Sequence, residues 1–317
     1  MAKTRSNRRR QGAANRTAPE ARSPFIVRKL GTFNVLSEAG LEQIEANADT
    51  ILAETGMEFQ DDPEILQIFA DAGCDVEGTR IRFAQGFCRK TITASAPAQF
   101  VQHARNPLNN VQLGGDASVL CPSWGPPFVH DLERGRRYAS HADFVDLVKL
   151  HHTLPWLHHS GGVVCEPVDL PANKRHLDML YGHIRYSDRA FMGAFIGAER
   201  AGHAIDMARI VFGEAFVAEN PVLYCVSNTN APLVMDSHMS GALKTYARAG
   251  QPVACTPLVF DWGHVTVDRR RHACPDSGRN HGRHDLDPAY QSRRALPDGR
   301  LCIYHVDEIG CAYVWHA

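Results

Sequence analysis

The feature that most constrains this chain is the alternation, between residues 118 and 262, of short apolar runs with helix-like segments. Parallel strands need a crossover connection, usually a helix, so this order predicts a parallel β-sheet with helices packed against it. The chain has neither a Walker loop nor a GxGxxG turn, which disfavours the nucleotide-binding versions of that architecture. We therefore expect an α/β fold in which a (β/α) barrel is favoured over a dinucleotide-binding sheet. The expected strands are Val119–Cys121, Val163–Cys165, Phe191–Ile196, Val222–Val226 and Val253–Val259.

The helices of this region are predicted from their capping residues. Ser140, followed three residues later by Asp143, forms a capping box that starts one helix. Three more helices are expected over 172–185, over 198–212 with Gly213 as the stop, and over 237–249 with Ser237 as the cap and Gly250 as the stop.

Residues 25–117 show a different pattern, which predicts a small N-terminal α+β cap in front of a partial barrel over 118–262. Helix signals begin at Ser37 and end at Gly56, and a second helix has Asp62 as its N-cap and Pro63 at its first position. The expected end of the second helix is Gly73, and short strands are expected around Arg80–Phe83 and Phe100–His103.

The two ends of the chain lack the apolar residues of a folded core. Residues 1–24 are basic and polar, which is typical of a disordered tail. Residues 263–317 hold eight Arg, six His and three Cys with almost no apolar run, so the composition breaks sharply after Trp262.

The overall composition excludes several classes of function. A formal net charge of −1 argues against a general nucleic-acid binder, because neutralising many phosphates needs a basic excess. No run of 18 apolar residues is present, so no membrane span is expected. The N-terminus has no apolar signal core, and the nine cysteines form no CxxC pair, which together favour a cytoplasmic protein with reduced thiols.

Three stretches of the chain resemble the trimethylamine methyltransferase (MttB-like) family. They are GPPFVHDLERGRRYAS (125–140), LHHSGGVVCEPVDLPANKRHLDMLYGHIRYSD (157–188) and ENPVLYCVSNTNAPLVMD (219–236), and the resemblance runs from Phe25 to Val259. It implies a TIM barrel and a methyltransferase that moves a methyl group from a methylated or quaternary amine to the cobalt of a corrinoid protein. One subset of the family uses pyrrolysine and trimethylamine, and a larger subset lacks pyrrolysine and uses betaine-like substrates.

The resemblance also implies which groups this chain needs and which it does not. The corrinoid (cobalamin) is carried by the partner protein, and this chain itself is expected to bind no cofactor. A quaternary amine leaves as a neutral tertiary amine, so the reaction needs orientation, desolvation and room for a bulky cation rather than proton transfer. The expected partners are the corrinoid protein and a small methylated amine, without nucleic acid or membrane, and a homo-oligomer is left open. No residue is assigned a catalytic role.

Aromatic faces and one carboxylate suit a quaternary ammonium group. Four aromatic residues and one acid at or near the expected strand ends are therefore candidate substrate-binding residues. The acid has an alternative reading, a structural salt bridge with Lys174 or Arg175, because charged groups are seldom buried without a partner. The five candidates are Trp124, Phe128, Trp156, Tyr224 and Glu166.

Histidine and asparagine residues complete the candidate site. His158 and His159 are adjacent, and they are candidate metal ligands or contacts to the corrinoid partner. Neighbouring side chains on a strand face opposite ways, so at most one of them faces the site. His159 is taken as the candidate, with core or loop packing as the alternative. Asn228 and Asn230 follow an expected strand, where they bind a substrate carboxylate or act as ordinary turn residues.

Two patterns suggest a metal, and neither predicts a metal site. Asp236–Gly241 spells DxHxxG, the cobalamin-ligating pattern, but it opens a late helix instead of following the first strand of a doubly wound fold. Cys274, His281 and His284, with Cys302 and Cys311, have a spacing that fits no common zinc finger.

The tail at 263–317 is interpreted as an out-of-frame segment. With one base removed, a back-translation of 307–317 reads Met-Lys-Ser-Gly-Ala-Pro-Thr-Phe-Gly-Thr, which is similar to the family's continuation at that point. This places the frame slip near Phe260–Val267 and makes the chain a fragment without the remaining strands. The alternatives are an inactive truncated pseudoenzyme, a betaine-binding protein, and a metal-dependent TIM-barrel hydrolase, which would want an HxH pair on its first strand.

Overall fold

The structure is a computed structural model that describes residues 26–31, 35–230 and 232–257. Its first elements are β1 (Ile26–Val27), α1 (Glu38–Glu54), β2 (Met57–Phe59), α2 (Pro63–Asp71), β3 (Asp75–Glu77), β4 (Arg80–Arg82), α3 (Phe87–Ser95), β5 (Gln99–Gln102), β6 (Val111–Gly114) and β7 (Ala117–Ser118). The later elements are β8 (Phe128–Asp131), β9 (Gly135–Tyr138), α4 (His141–Thr153), α5 (Arg175–Tyr186), β10 (Phe191–Met192), α6 (Ala198–Phe212), α7 (Glu214–Glu219), β11 (Leu223–Thr229), β12 (Val234–Met235), α8 (Ser237–Arg248) and β13 (Val253–Pro257).

Three parallel strands, in the order β10-β11-β13, form the sheet on which the later helices pack. Its outer face carries Leu223, Cys225 and Val253, which are buried in one core with residues of α6 and α8. The opposite face, called the inner face below, carries the residues that alternate with these. They form a separate apolar cluster of Met192, Tyr224, Val226 and Ala254, with Cys121 beside them.

The backbone next to β10 continues this parallel hydrogen bonding. The Ser160 N–H donates to the Ala190 carbonyl (2.8 Å), and the Met192 N–H donates to the Gly161 carbonyl (2.9 Å). On the side of this segment that faces away from β10, the N–H of His158 donates to the Leu120 carbonyl (3.0 Å). The segment 158–161 therefore lies beside β10 and runs in the same direction.

The predicted strand Val163–Cys165 is wrong, because no strand of the structure covers these residues. The predicted strand Val119–Cys121 is also wrong, because the nearest strand, β7, ends at Ser118. Gly161 has a φ of 87°, and the Val164 N–H donates to the Gly162 carbonyl (3.0 Å), so the chain turns where the apolar run begins. The extended segment of this stretch lies a few residues earlier than the apolar pattern indicates.

The N-terminal elements build a four-stranded sheet in the order β12-β2-β4-β3. Strand β12 comes from the far end of the described chain and pairs parallel to β2, with Val234 opposite Glu58. The predicted cap Asp62 is confirmed, and Ser37, where the helix signals begin, is the N-cap of α1. Each side chain accepts a hydrogen bond from a backbone N–H of the first turn. At Gly56, whose φ is 72°, a Cβ would lie 2.3 Å from a backbone carbonyl oxygen, so only glycine fits there.

The caps of the later helices follow the sequence, with one exception. The capping box of Ser140 and Asp143 is confirmed at α4, and Gly213 is confirmed as the C-cap of α6. The predicted cap Ser237 is wrong. The side chain of Asp236 caps α8 instead, accepting from the N–H groups of His238 and Met239.

The described residues form a mixed α/β structure with five small sheets. Closure of a barrel and the boundaries of the cap and barrel domains stay predictions. The tails at 1–24 and 263–317 lie outside the described residues. Within the described ranges, no helix is both long and apolar enough to cross a membrane.

Candidate functional site

The carboxyl edge of the parallel sheet, where β11 and β13 end, is the candidate site. Active sites of parallel α/β folds lie at this edge because the loops after the strands converge there. On the inner face, Val226 lies opposite Ala254, and two positions further on Asn228 lies opposite Thr256. The inner face therefore changes from apolar to polar as it reaches the carboxyl edge.

Asn228 and Thr256 are joined by a hydrogen bond. The Thr256 Oγ1 lies 2.6 Å from the Asn228 Oδ1, and both residues are half-buried. Asn228 thus lies among the last residues of β11, which extends to Thr229 and so beyond the strand end at Val226 that the sequence predicted. Thr256 was missed, although its alternation with Ala254 in the same apolar run places it on the inner face.

Asn230 occupies a different position. Its side chain is exposed, and its Nδ2 donates to the Asp236 Oδ2 (3.0 Å). Asp236 is the N-cap of α8, so Asn230 supports the cap of that helix and the turn that precedes it.

Trp124 also lies at the carboxyl edge, because the next residue, Gly125, donates its N–H to the carbonyl of Val163 (2.7 Å), just past the 158–161 segment. The Trp124 ring is 45% exposed, which leaves surface for a ligand. Cys121 lies deeper, and burial raises the pKa of its thiol to about 11. That thiol stays protonated at neutral pH, so it is not a reactive nucleophile.

His159 is buried, and its hydrogen bonds fix its protonation. Gln102 donates through Nε2 to the carbonyls of Phe191 (2.9 Å) and Val222 (3.2 Å), so its Oε1 accepts from the His159 Nε2 (3.1 Å). The His159 Nδ1 then accepts from the Gly161 N–H (2.9 Å), and burial lowers the pKa of this imidazole to about 3. Because Gln102 binds carbonyls where β10 and β11 begin, His159 sits at the amino end of the sheet.

A second buried histidine holds the same turn from the other side. The Nε2 of His183 lies 2.7 Å from the carbonyl of Gly162, so it donates, and its Nδ1 accepts from the Ser160 hydroxyl (2.7 Å). Burial lowers the pKa of His183 to about 4. The two neutral imidazoles therefore fix the backbone of Ser160-Gly161-Gly162. The sequence analysis gave no role to His183. Its position on the buried face of α5 was the one signal that could have indicated a structural role.

Trp156 lies at the opposite edge of the sheet from Asn228. It precedes the 158–161 segment, and the neighbouring Leu154 accepts a hydrogen bond from Arg189, which precedes β10 (2.8 Å). The Trp156 side chain is 71% exposed. The structure therefore does not bring Trp156 together with Trp124 and Asn228.

Glu166 and Phe128 lie beyond the carboxyl edge, and both have protein partners. The Glu166 Oε1 is 2.5 Å from Arg175, which is one of the two salt-bridge partners that the sequence suggested. The guanidinium carbon of Arg136 stands 3.6 Å from the centroid of the Phe128 ring, and the Tyr138 ring lies beside it at 4.6 Å. Arg136 thus already covers one face of the Phe128 ring with a cation.

The described residues contain no group of three or more His, Cys, Asp or Glu side chains placed to hold a metal ion. The aspartate of the DxHxxG pattern, Asp236, has a structural role as the cap of α8. The cysteines and histidines at 274–311 lie outside the described ranges.

The sequence matches known proteins over most of its length. A model of the trimethylamine methyltransferase (MTTB) family matches residues 2–263. Glycine betaine methyltransferase of Desulfitobacterium hafniense (strain Y51) is 42% identical over 232 residues, which cover 73% of this chain and 48% of that protein. Trimethylamine methyltransferase MttB of Desulfitobacterium hafniense (strain DSM 10664 / DCB-2) is 25% identical over 232 residues, covering 68% of this chain and 44% of that protein.

The chain thus spans about half the length of the curated relatives it matches. The family match, in contrast, covers most of the chain and includes every strand and helix described above. On that match, the chain belongs to the trimethylamine methyltransferase (MTTB) family.

Proposed function

We propose that this chain acts in methyl transfer from a methylated amine, with a quaternary amine of the betaine type as the substrate. The observation that carries the proposal is the 42% identity to a glycine betaine methyltransferase over 232 residues. The methyl acceptor in this proposal is the cobalt of a corrinoid held by a separate partner protein, and the fold is the barrel type that the family resemblance implies.

The proposed site is the carboxyl edge of the inner face. Asn228 offers a polar group there, and the exposed ring of Trp124 offers an aromatic face for the ammonium group. Tyr224 lies four residues before Asn228 on the same strand, about 13 Å along its axis. That distance exceeds the length of a small betaine, so Tyr224 forms a deeper part of the inner face in this proposal.

The roles of these residues are binding and exclusion of water. The corrinoid of the partner would supply the methyl-accepting cobalt when it docks at the open edge. Breaking the bond between carbon and nitrogen leaves its electron pair on the nitrogen, and the amine departs neutral without a proton from the protein. The chain therefore has to hold the ammonium group in line with the acceptor and keep water away from it.

The direct test is to mix the purified chain with a reduced corrinoid protein and glycine betaine, and to follow formation of methylated corrinoid by absorbance. We expect saturable transfer that Trp124→Ala lowers at least tenfold. Trp156→Ala removes a tryptophan ring that is more exposed and lies at the other edge of the sheet, and it should retain activity. Betaine binding without any transfer would instead identify a binding protein, and no binding at all would overturn the proposal.

A further inference from the structure

The pair formed by Asn228 and Thr256 has a geometry that assigns a direction to the asparagine side chain. The 2.6 Å separation of the Thr256 Oγ1 and the Asn228 Oδ1 is typical of an O–H···O hydrogen bond and short for an N–H···O bond. The hydroxyl of Thr256 therefore donates to the carbonyl oxygen of Asn228. The amide nitrogen is left on the other side of the side chain.

This arrangement leaves Asn228 with both N–H groups of its amide available to a ligand. Its Oδ1 is engaged by Thr256, and its Nδ2 makes no hydrogen bond within residues 26–31, 35–230 and 232–257. A free asparagine side chain presents an acceptor as readily as a donor, because a rotation of the amide exchanges the two. With Thr256 in place, the site presents two N–H groups and disfavours a ligand that has only donors.

We propose that Thr256 is a positioning residue that holds the Asn228 amide with its N–H groups toward the carboxylate of a betaine-type substrate. The proposal rests on the proposed function and adds a specificity-determining role for two named side chains. In this proposal, the pair distinguishes quaternary amines that carry a carboxylate from those that have the same cationic group and no carboxylate. The register of β11 and β13 holds the two side chains next to each other, because Asn228 and Thr256 are direct partners on these adjacent parallel strands.

The test compares two ligands with the same cationic group. Glycine betaine has a carboxylate, and tetramethylammonium has none, so their dissociation constants are measured by titration calorimetry on the full chain. Thr256→Val keeps the shape of the side chain and removes the hydroxyl, and we expect it to weaken betaine binding by roughly 10- to 100-fold. Tetramethylammonium binding should change less than about threefold. Thr256→Ser, which keeps the hydroxyl, should restore betaine binding to within a similar factor.

Two further variants guard against a general loss of folding. Asn228→Asp has nearly the same shape and replaces the donors by a negative charge, so it should abolish betaine binding and retain tetramethylammonium. Thr229 follows Asn228 on β11, so its side chain lies on the opposite face of the sheet from Asn228 and Thr256. Thr229→Val makes the same chemical change as Thr256→Val, and it should leave both dissociation constants unchanged. Equal weakening of both ligands by Thr256→Val would overturn the proposal.

A second readout needs no ligand. The side-chain amide of Asn228, labelled with nitrogen-15, should give one pair of resonances in the wild-type chain and a shifted or broadened pair in Thr256→Val. Unchanged resonances would show that Thr256 does not position the amide, whatever the ligands do. A wild-type chain that binds neither ligand would overturn the proposed function, and the resonances of Asn228 would still decide the role of Thr256.

Discussion

The ammonium group of Lys244 lies 2.5 Å from the Asp62 Oδ1, although the two residues are 182 positions apart in the sequence. Lys244 belongs to α8 and Asp62 caps α2, and both side chains are buried. A second carboxylate, that of Glu64, lies 2.8 Å from the same ammonium group. This ion pair therefore ties the N-terminal sheet region to the last helix described.

We expect Lys244→Ala to destabilise the fold strongly. Removing one partner of a buried pair leaves the charge of Asp62 uncompensated, which costs about 3–5 kcal/mol. Arg248→Ala is the matched control, since Arg248 also contacts Glu64 but is exposed, and its loss should cost less than about 1 kcal/mol. Urea unfolding of the two variants measures both free energies. A similar small cost for both variants would contradict the importance of the buried pair.

Two buried serines should respond in opposite ways to the same substitution. Ser160 donates to His183, so Ser160→Ala leaves a buried nitrogen unpaired and should cost about 1–3 kcal/mol. Ser227 is fully buried, and its Oγ finds no hydrogen-bond partner among the described residues. Ser227→Ala should therefore be neutral or stabilise the fold by about 1 kcal/mol. Thermal unfolding by circular dichroism distinguishes the two, and equal destabilisation would count against this reading.

The stability of the chain should fall as the pH is lowered below about 6.5. Burial holds the pKa of His159 at about 3 and that of His183 at about 4 in the folded protein, whereas both lie near 6.5 when unfolded. Between the folded and the unfolded pKa values, the unfolded chain binds more protons than the folded chain does, so lowering the pH through this range favours unfolding. The slope is about 1.4 kcal/mol per pH unit for each histidine.

This slope is measured by urea unfolding at several pH values between 7.5 and 5. His159→Gln should reduce the pH dependence, because glutamine cannot take up the proton on unfolding. The same substitution at the exposed His130 is the matched control. A pH dependence of stability that His159→Gln leaves unchanged would show that the buried imidazole is not responsible.

Gly193 and Tyr246 should show a strong coupling. A Cβ on residue 193 would lie 2.1 Å from the Tyr246 hydroxyl oxygen, and that hydroxyl donates to the carbonyl of Ala194 (2.7 Å) inside the core. Gly193→Ala should therefore cost about 1–3 kcal/mol through overpacking. Tyr246→Phe removes the oxygen, so the double variant should be more stable than the sum of the single costs indicates. Additive costs would contradict this packing relationship.

The helix ends could be predicted because their signals are local. Ser37, Asp62 and the pair of Ser140 and Asp143 lie within one turn of the backbone groups that they cap. At α8 the sequence offers two adjacent capping residues, and Asp236 rather than Ser237 provides the cap. The path of the preceding turn decides between them, and the sequence does not show that path.

The residues around 158–166 were harder to predict because their structure depends on distant partners. Val163–Cys165 has the composition of a strand, but two buried histidines fix the preceding glycines in a turn. For the candidate site, Asn228 could be found from its place after an apolar run. Thr256 could not be recognised as its partner, because the sequence alone does not give the register between two strands.

The pairing of β12 with β2 has a consequence for how the protein is made. The edge of β2 is completed only by Val234 and Met235, which leave the ribosome long after Glu58 and Phe59. At ordinary rates of synthesis this delay is roughly 10–35 seconds, during which an unpaired strand edge stays exposed on the nascent chain. The N-terminal region therefore finishes folding only after synthesis has passed β12.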